Sequence, residues 1–146
     1  MYYKVQLQSM ICKWLFRNFE RRGGSGGGRP RIEKYFKLLH LLLKDTPEIQ
    51  LILAKECPYC HKKFKKRYSL HVHLVLYGSK WGGVSRCKLQ FSQLLNYISD
   101  TYIALRDMIR KKNGKYYVKG CNWYFKTLEE AYKEAMKFIN CNLYRL

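Results

Sequence analysis

Apolar residues recur at helical spacing in several stretches of the chain and at strand spacing in one. Ile11, Trp14, Leu15 and Phe19 mark one face of a short amphipathic helix within residues 1–22. Tyr35 to Leu43 is almost continuously apolar and reads as a largely buried helix. Thr46-Pro47-Glu48 restarts a helix, with Thr46 as N-cap and Pro47 in the first helical position. From Phe91 to Lys111, the residues Leu94, Leu95, Ile98, Tyr102, Leu105 and Ile109 form one stripe, which predicts a helix of about five turns. Such a stripe is core or the seam of a homodimer. Beyond Asn113-Gly114, Lys115–Lys119 and Asn122–Phe125 read as two strands around the turn Gly120-Cys121. Thr127 and Glu130 have the spacing of a capping box. They open a helix to about Asn140 that packs through Leu128, Ala131, Ala135 and Phe138.

These elements predict an α+β chain of mostly helical small modules around a ββα finger, with a C-terminal β-hairpin plus helix. The run Gly23-Gly24-Ser25-Gly26-Gly27-Gly28 has the composition of a flexible linker, natural or engineered. The modules are then a helix at 1–22, a linker at 23–29, a helical hairpin at 30–54, a finger at 55–87, a helix at 88–112 and a strand–helix module at 113–146. Gly28-Arg29-Pro30-Arg31 has the core of a minor-groove hook, but Pro30 is read first as the start of a helix.

The chemistry concentrates in one motif, Cys57-Pro58-Tyr59-Cys60 followed by Phe64, Leu70 and His73. Two cysteines three apart on a tight turn can present both thiolates to one metal ion. Phe64 and Leu70 form a small apolar plug, and His73 projects from the same helix face as Leu70. This register resembles the two-cysteine, two-histidine zinc finger over about residues 55–77. The resemblance implies a zinc ion held by Cys57, Cys60 and His73, and asks for a second histidine where Tyr77 stands. A phenol is a poor ligand near neutral pH. Cys87, reached through Gly78, Gly82 and Gly83, is the first choice for the fourth ligand. His71 and His40 are the other candidates, and a degenerate, metal-free finger is the remaining alternative.

Charge points to a polyanion. The chain carries 29 Lys and Arg against 10 Asp and Glu, a formal net charge of +19 on 146 residues. One basic cluster surrounds the finger, a second runs from Arg110 to Lys119, and a third flanks the glycine run. The finger resemblance implies double-stranded DNA as partner, held by Lys62, Lys63, Lys65, Lys66 and Arg67. In its register Lys66, Ser69 and Val72 face the bases, with Tyr68 beside them. No basic amphipathic helix with a lipidation signal argues for a membrane. Six cysteines without an apolar leader predict an intracellular, nucleoid-associated protein. Cys12, Cys121 and Cys141 lack ligand spacing and are read as small apolar side chains. The Lys-, Tyr- and Leu-rich composition resembles proteins of archaeal viruses and plasmids from hot acidic springs, which would place it in a host cell.

The C-terminal order strand, strand, helix loosely resembles the DNA-binding domain of integrases and plant ethylene-response factors. It carries Phe125, Thr127 and Glu130-Ala131 in that domain's register. The second basic cluster makes Lys115 and Lys119 candidate phosphate contacts, and the resemblance implies a nucleic-acid contact at Trp123 and a third strand that the sequence does not make clear. Together the motifs favour a regulatory or architectural DNA-binding protein that is not an enzyme. Cys57, Cys60, His71, His73 and Cys87 also faintly resemble ββα-metal homing nucleases, without the second cysteine pair those enzymes use. A protein-docking finger is the third reading.

Overall fold

The computed structural model describes residues 2–16, 36–75 and 86–144, with side chains from residue 3 to residue 140. In chain order the helices are α1 (Tyr2–Phe16), α2 (Lys37–Lys44), α3 (Pro47–Leu53), α4 (Arg67–Leu74) and α5 (Arg86–Met108). Strands β1 (Ile109–Lys112), β2 (Lys115–Val118) and β3 (Tyr124–Phe125) follow, and α6 (Leu128–Tyr144) closes the described chain. The α+β class holds. The glycine run, Pro30, Phe19 and Tyr77 lie outside the described residues.

The long stripe of α5 is the axis of the core. Phe91, Leu94, Ile98, Tyr102 and Leu105 are buried, and α1, α2, α4 and α6 all pack against this helix. Leu7, Ile11, Trp14 and Leu15 of α1 and Leu39, Leu42 and Leu43 of α2 belong to the same hydrophobic cluster. The α5 stripe is therefore consumed within the chain. In the finger, Leu70 and Leu74 of α4 enter this cluster, and Phe64 packs against its edge.

Two expected helix starts differ in detail. Pro47 begins α3, but the Thr46 hydroxyl donates back to Leu42 O at 2.7 Å and does not cap the new helix. At α6 the Glu130 amide donates to Thr127 Oγ1 at 3.2 Å, as a capping box requires. The Glu130 carboxylate, however, accepts from the Thr127 hydroxyl at 2.9 Å, where the sequence pattern directs it to the Thr127 amide. This helix runs past Asn140, and Phe138, expected on its packed face, is 37% exposed. Tyr132 and Ile139 are buried there instead.

The predicted helix over 91–111 ends early. Ile109 leaves α5 after Met108 and becomes the first residue of a strand with no intervening loop. Asn113 (φ +54°) and Gly114 (φ +74°) form a two-residue hairpin turn, the geometry that Asn-Gly favours. That turn pairs Ile109 with Val118 and Lys112 with Lys115, and pairing outcompetes continued helix. The Lys119 amide closes the junction on Met108 O at 2.8 Å. With β3 pairing antiparallel to β2, the sheet has three strands in the order β1-β2-β3, one more than the sequence makes clear. Helix α6 packs across all three.

Candidate metal centre

The expected ββα hairpin of the finger is reduced to a single bridge between Glu56 and Lys63. Helix α3 delivers the chain into it. Glu56 N donates to Leu51 O and Lys55 N to Ile52 O, both at 2.9 Å, with Lys55 left-handed at φ +65°. This is the 6→1, 5→2 pattern that ends a helix, with lysine where glycine is usual. The turn that follows is pinned by Cys57 N to Lys62 O at 3.0 Å and His61 N to Cys57 O at 2.9 Å. His61, at φ +63°, reverses the chain and offers its Nδ1 to Glu56 at 3.1 Å.

This turn places both cysteines on one side. The amides of Tyr59 and Cys60 donate to Cys57 Sγ at 3.4 and 3.5 Å and fix the sulfur's direction. Helix α4 brings His73, and the first turn of α5 brings Cys87. Ligand atoms of Cys57, Cys60, His73 and Cys87 all lie within 4.8 Å of one another. Cys60 Sγ and His73 Nε2 are 3.5 Å apart. A tetrahedral ion with bonds of about 2.3 Å to sulfur and 2.05 Å to nitrogen needs an S···N edge of about 3.6 Å.

The electrostatics fit a cation at the centre. Burial pushes the Cys87 thiol up to about 12, aided by hydrogen bonds and negative charge from Cys57 and Cys60. Three packed sulfurs resist joint ionisation unless a positive ion stands among them. The Lys62 amide and the neighbouring thiols hold Cys60 below its usual value. Burial, then the cations Lys88 and Lys62, depress His73 and keep its imidazole neutral, the form that ligates. Lys88 also donates to His73 O at 3.0 Å, tying the end of α4 to the start of α5.

The other two candidate histidines are elsewhere. His71 stacks on Phe16, with ring centroids 4.8 Å apart. His40 meets Trp14 edge-on at 6.3 Å. Among the described residues, the cluster that could hold a metal ion contains neither.

The nucleic-acid residues divide. Lys62, Lys63, Lys65, Lys66 and Ser69 are exposed around the finger. Arg67 is not on that surface. It is 5% exposed and donates to Leu53 O at 3.0 Å, Ile52 O at 3.3 Å and Leu15 O at 3.5 Å. These carbonyls lie at the C-terminal ends of α3 and α1, where helices lack internal donors. Its guanidinium thus ties three helices together, and a basic run in sequence hides this because burial is not visible in it.

The sheet presents a face that the sequence resolves only in part. Register places Arg110, Tyr117 and Tyr124 in one cross-strand row on the side away from α6, with Lys112 and Lys115 paired beside it. All five are exposed. Tyr117 and Tyr124 lie 6.3 Å apart, and Lys115 Nζ sits 4.4 Å above the Tyr124 ring. Lys119 is exposed just past the end of β2. Trp123 is exposed too, but its ring meets Phe125 of the inner row at 6.4 Å, so the outer aromatics are the two tyrosines. The period-2 pattern around Asn113-Gly114 was the signal for this row, masked by the helical stripe running into Ile109.

No helix among the described residues is long and apolar enough to cross a membrane. No family model, curated protein or solved structure matches the chain.

Proposed function

We propose that this protein binds double-stranded DNA as a regulatory or architectural factor, with a structural zinc ion holding its finger together. The observation that carries this reading is the outer face of the sheet: Arg110, Lys112, Lys115, Tyr117 and Tyr124, exposed and without an acidic residue among them. A twisted antiparallel ribbon fits the major groove, and its cations neutralise phosphates. The third strand and the helix packed behind it add to the resemblance to the integrase and ethylene-response-factor domain.

Zinc is favoured by the donor set. Three sulfurs and one imidazole make a soft, four-coordinate site suited to zinc. All four positions are taken by protein groups, which suits a structural ion and leaves no open place for substrate or water. The finger has little apolar core of its own, so metal binding contributes directly to its folding. Of His71 and His73, the histidine pair on which a nuclease reading would rest, His71 is stacked against Phe16. Hence the binding reading is preferred to the enzymatic one.

The test is titration of a mixed-sequence duplex by fluorescence anisotropy across a range of salt, on protein purified without chelator and analysed for metal. One zinc per chain and a steep fall of affinity with salt are expected. Lys112→Ala with Lys115→Ala should lower the salt slope by about two units. Salt-independent binding, or none at low salt, would defeat the DNA reading and leave the protein-docking finger in its place.

A further inference from the structure

Two basic clusters of the folded chain lie at the two ends of α5, with further lysines such as Lys13 and Lys44 on other helices. At its start, Cys87 belongs to the metal cluster that organises Lys62, Lys63, Lys65 and Lys66. At its end, Met108 passes directly into β1, and Arg110 follows two residues later. Between these ends, residues 89–105 contain no Lys or Arg, and Asp100 there is paired with Lys4 at 2.9 Å. From Cys87 to Met108 the helix measures roughly 32 Å at 1.5 Å per residue. One turn of B-form DNA is about 34–36 Å, and the same groove returns to the same side of the duplex at that interval.

We infer that α5 is a ruler: the finger lysines and the sheet face grip one duplex at two places about one helical turn apart, leaving the intervening segment uncontacted. This rests on the DNA-binding reading above and specifies its substrate, a duplex longer than about one and a half turns. The ruler is stiff because α5 is packed by α1, α2, α4 and α6 along its length. Its two ends are fixed by covalent continuity into β1 and by Cys87 in the metal cluster. Two weak contacts joined in this way act at high effective concentration only when the duplex reaches both.

The experiment compares an 8-bp hairpin-closed duplex with a 20-bp duplex, using the full zinc-loaded chain. The 20-bp duplex should bind at least about tenfold more tightly after correction for its extra binding positions, with one duplex per protein. On it, Lys65→Ala with Lys66→Ala and Lys112→Ala with Lys115→Ala should each lower the salt slope by about two units. Hydroxyl-radical footprinting should show two protected windows about 10 bp apart. Equal affinity for the two lengths, or one protein holding two 20-bp duplexes at once, would overturn the ruler while leaving DNA binding intact. No salt-dependent binding of either duplex would overturn the DNA reading and the ruler with it.

Discussion

Arg67→Met separates a structural arginine from a DNA-contacting one. The guanidinium is 5% exposed and makes two carbonyl contacts of 3.0 and 3.3 Å and a longer one of 3.5 Å. Hydrogen bonds from a charged donor contribute about 1.5–3 kcal/mol each, and a carbonyl left dry and unpaired costs about as much, although Ile52 O keeps its bond from the Lys55 amide. Against this, methionine keeps the apolar stem packed, and the desolvation of a buried charge is relieved. With the 3.5 Å contact counted as weak, the net loss is about 3 kcal/mol. For a chain of this size that corresponds to a fall in melting temperature of roughly 10 °C. Lys66→Met, one residue away but exposed, should change stability by no more than about 0.5 kcal/mol. The assay is urea and thermal unfolding of both variants at fixed free zinc, followed by duplex binding across salt. Arg67→Met should unfold early yet, where folded, keep the wild-type salt slope. Lys66→Met should unfold normally and lose about one unit of slope. An Arg67→Met protein of native stability with a lowered slope would refute the reasoning and return Arg67 to the DNA surface.

Cys87→Ser should weaken zinc affinity by about 100-fold, one ligand's share of a strong four-ligand site, while His71→Asn leaves it unchanged; competition with a chromophoric chelator measures both. Gly114→Ala meets no atom within 4 Å but forces a side chain onto φ +74°, so chemical denaturation should show a loss of about 1 kcal/mol with zinc content unaltered. Burial raises Cys12 from 9.0 to about 11, so folding favours its neutral thiol. Its contribution is complete below pH 9 and lost as pH rises through about 11, and Cys12→Ser should reduce the loss of stability over that window in pH-dependent melts.

Where the determining interactions are local, the sequence was enough. The spacing of Cys57, Cys60 and His73 lies within one turn and one short helix, and the structure assembles them as that spacing implies. Pro47 starting α3, the Asn113-Gly114 turn and the amphipathic stripe of α5 are local in the same sense. Cys87 was legible only as one candidate among three, because its arrival depends on how far the chain returns after His73. The pairing of Ile109 with Val118 was not legible at all. A helical stripe and a strand compete over the same residues, and the outcome rests on cross-strand hydrogen bonds made nine residues away in sequence. Arg67 shows the same limit from the other side. In the sequence it is one more cation in a basic run, and only the convergence of α1, α3 and α4 turns it inward. Ligand spacing and turn chemistry are written in neighbouring residues. Burial and strand partnership depend on what the rest of the chain places against them, so only the tertiary structure could decide them.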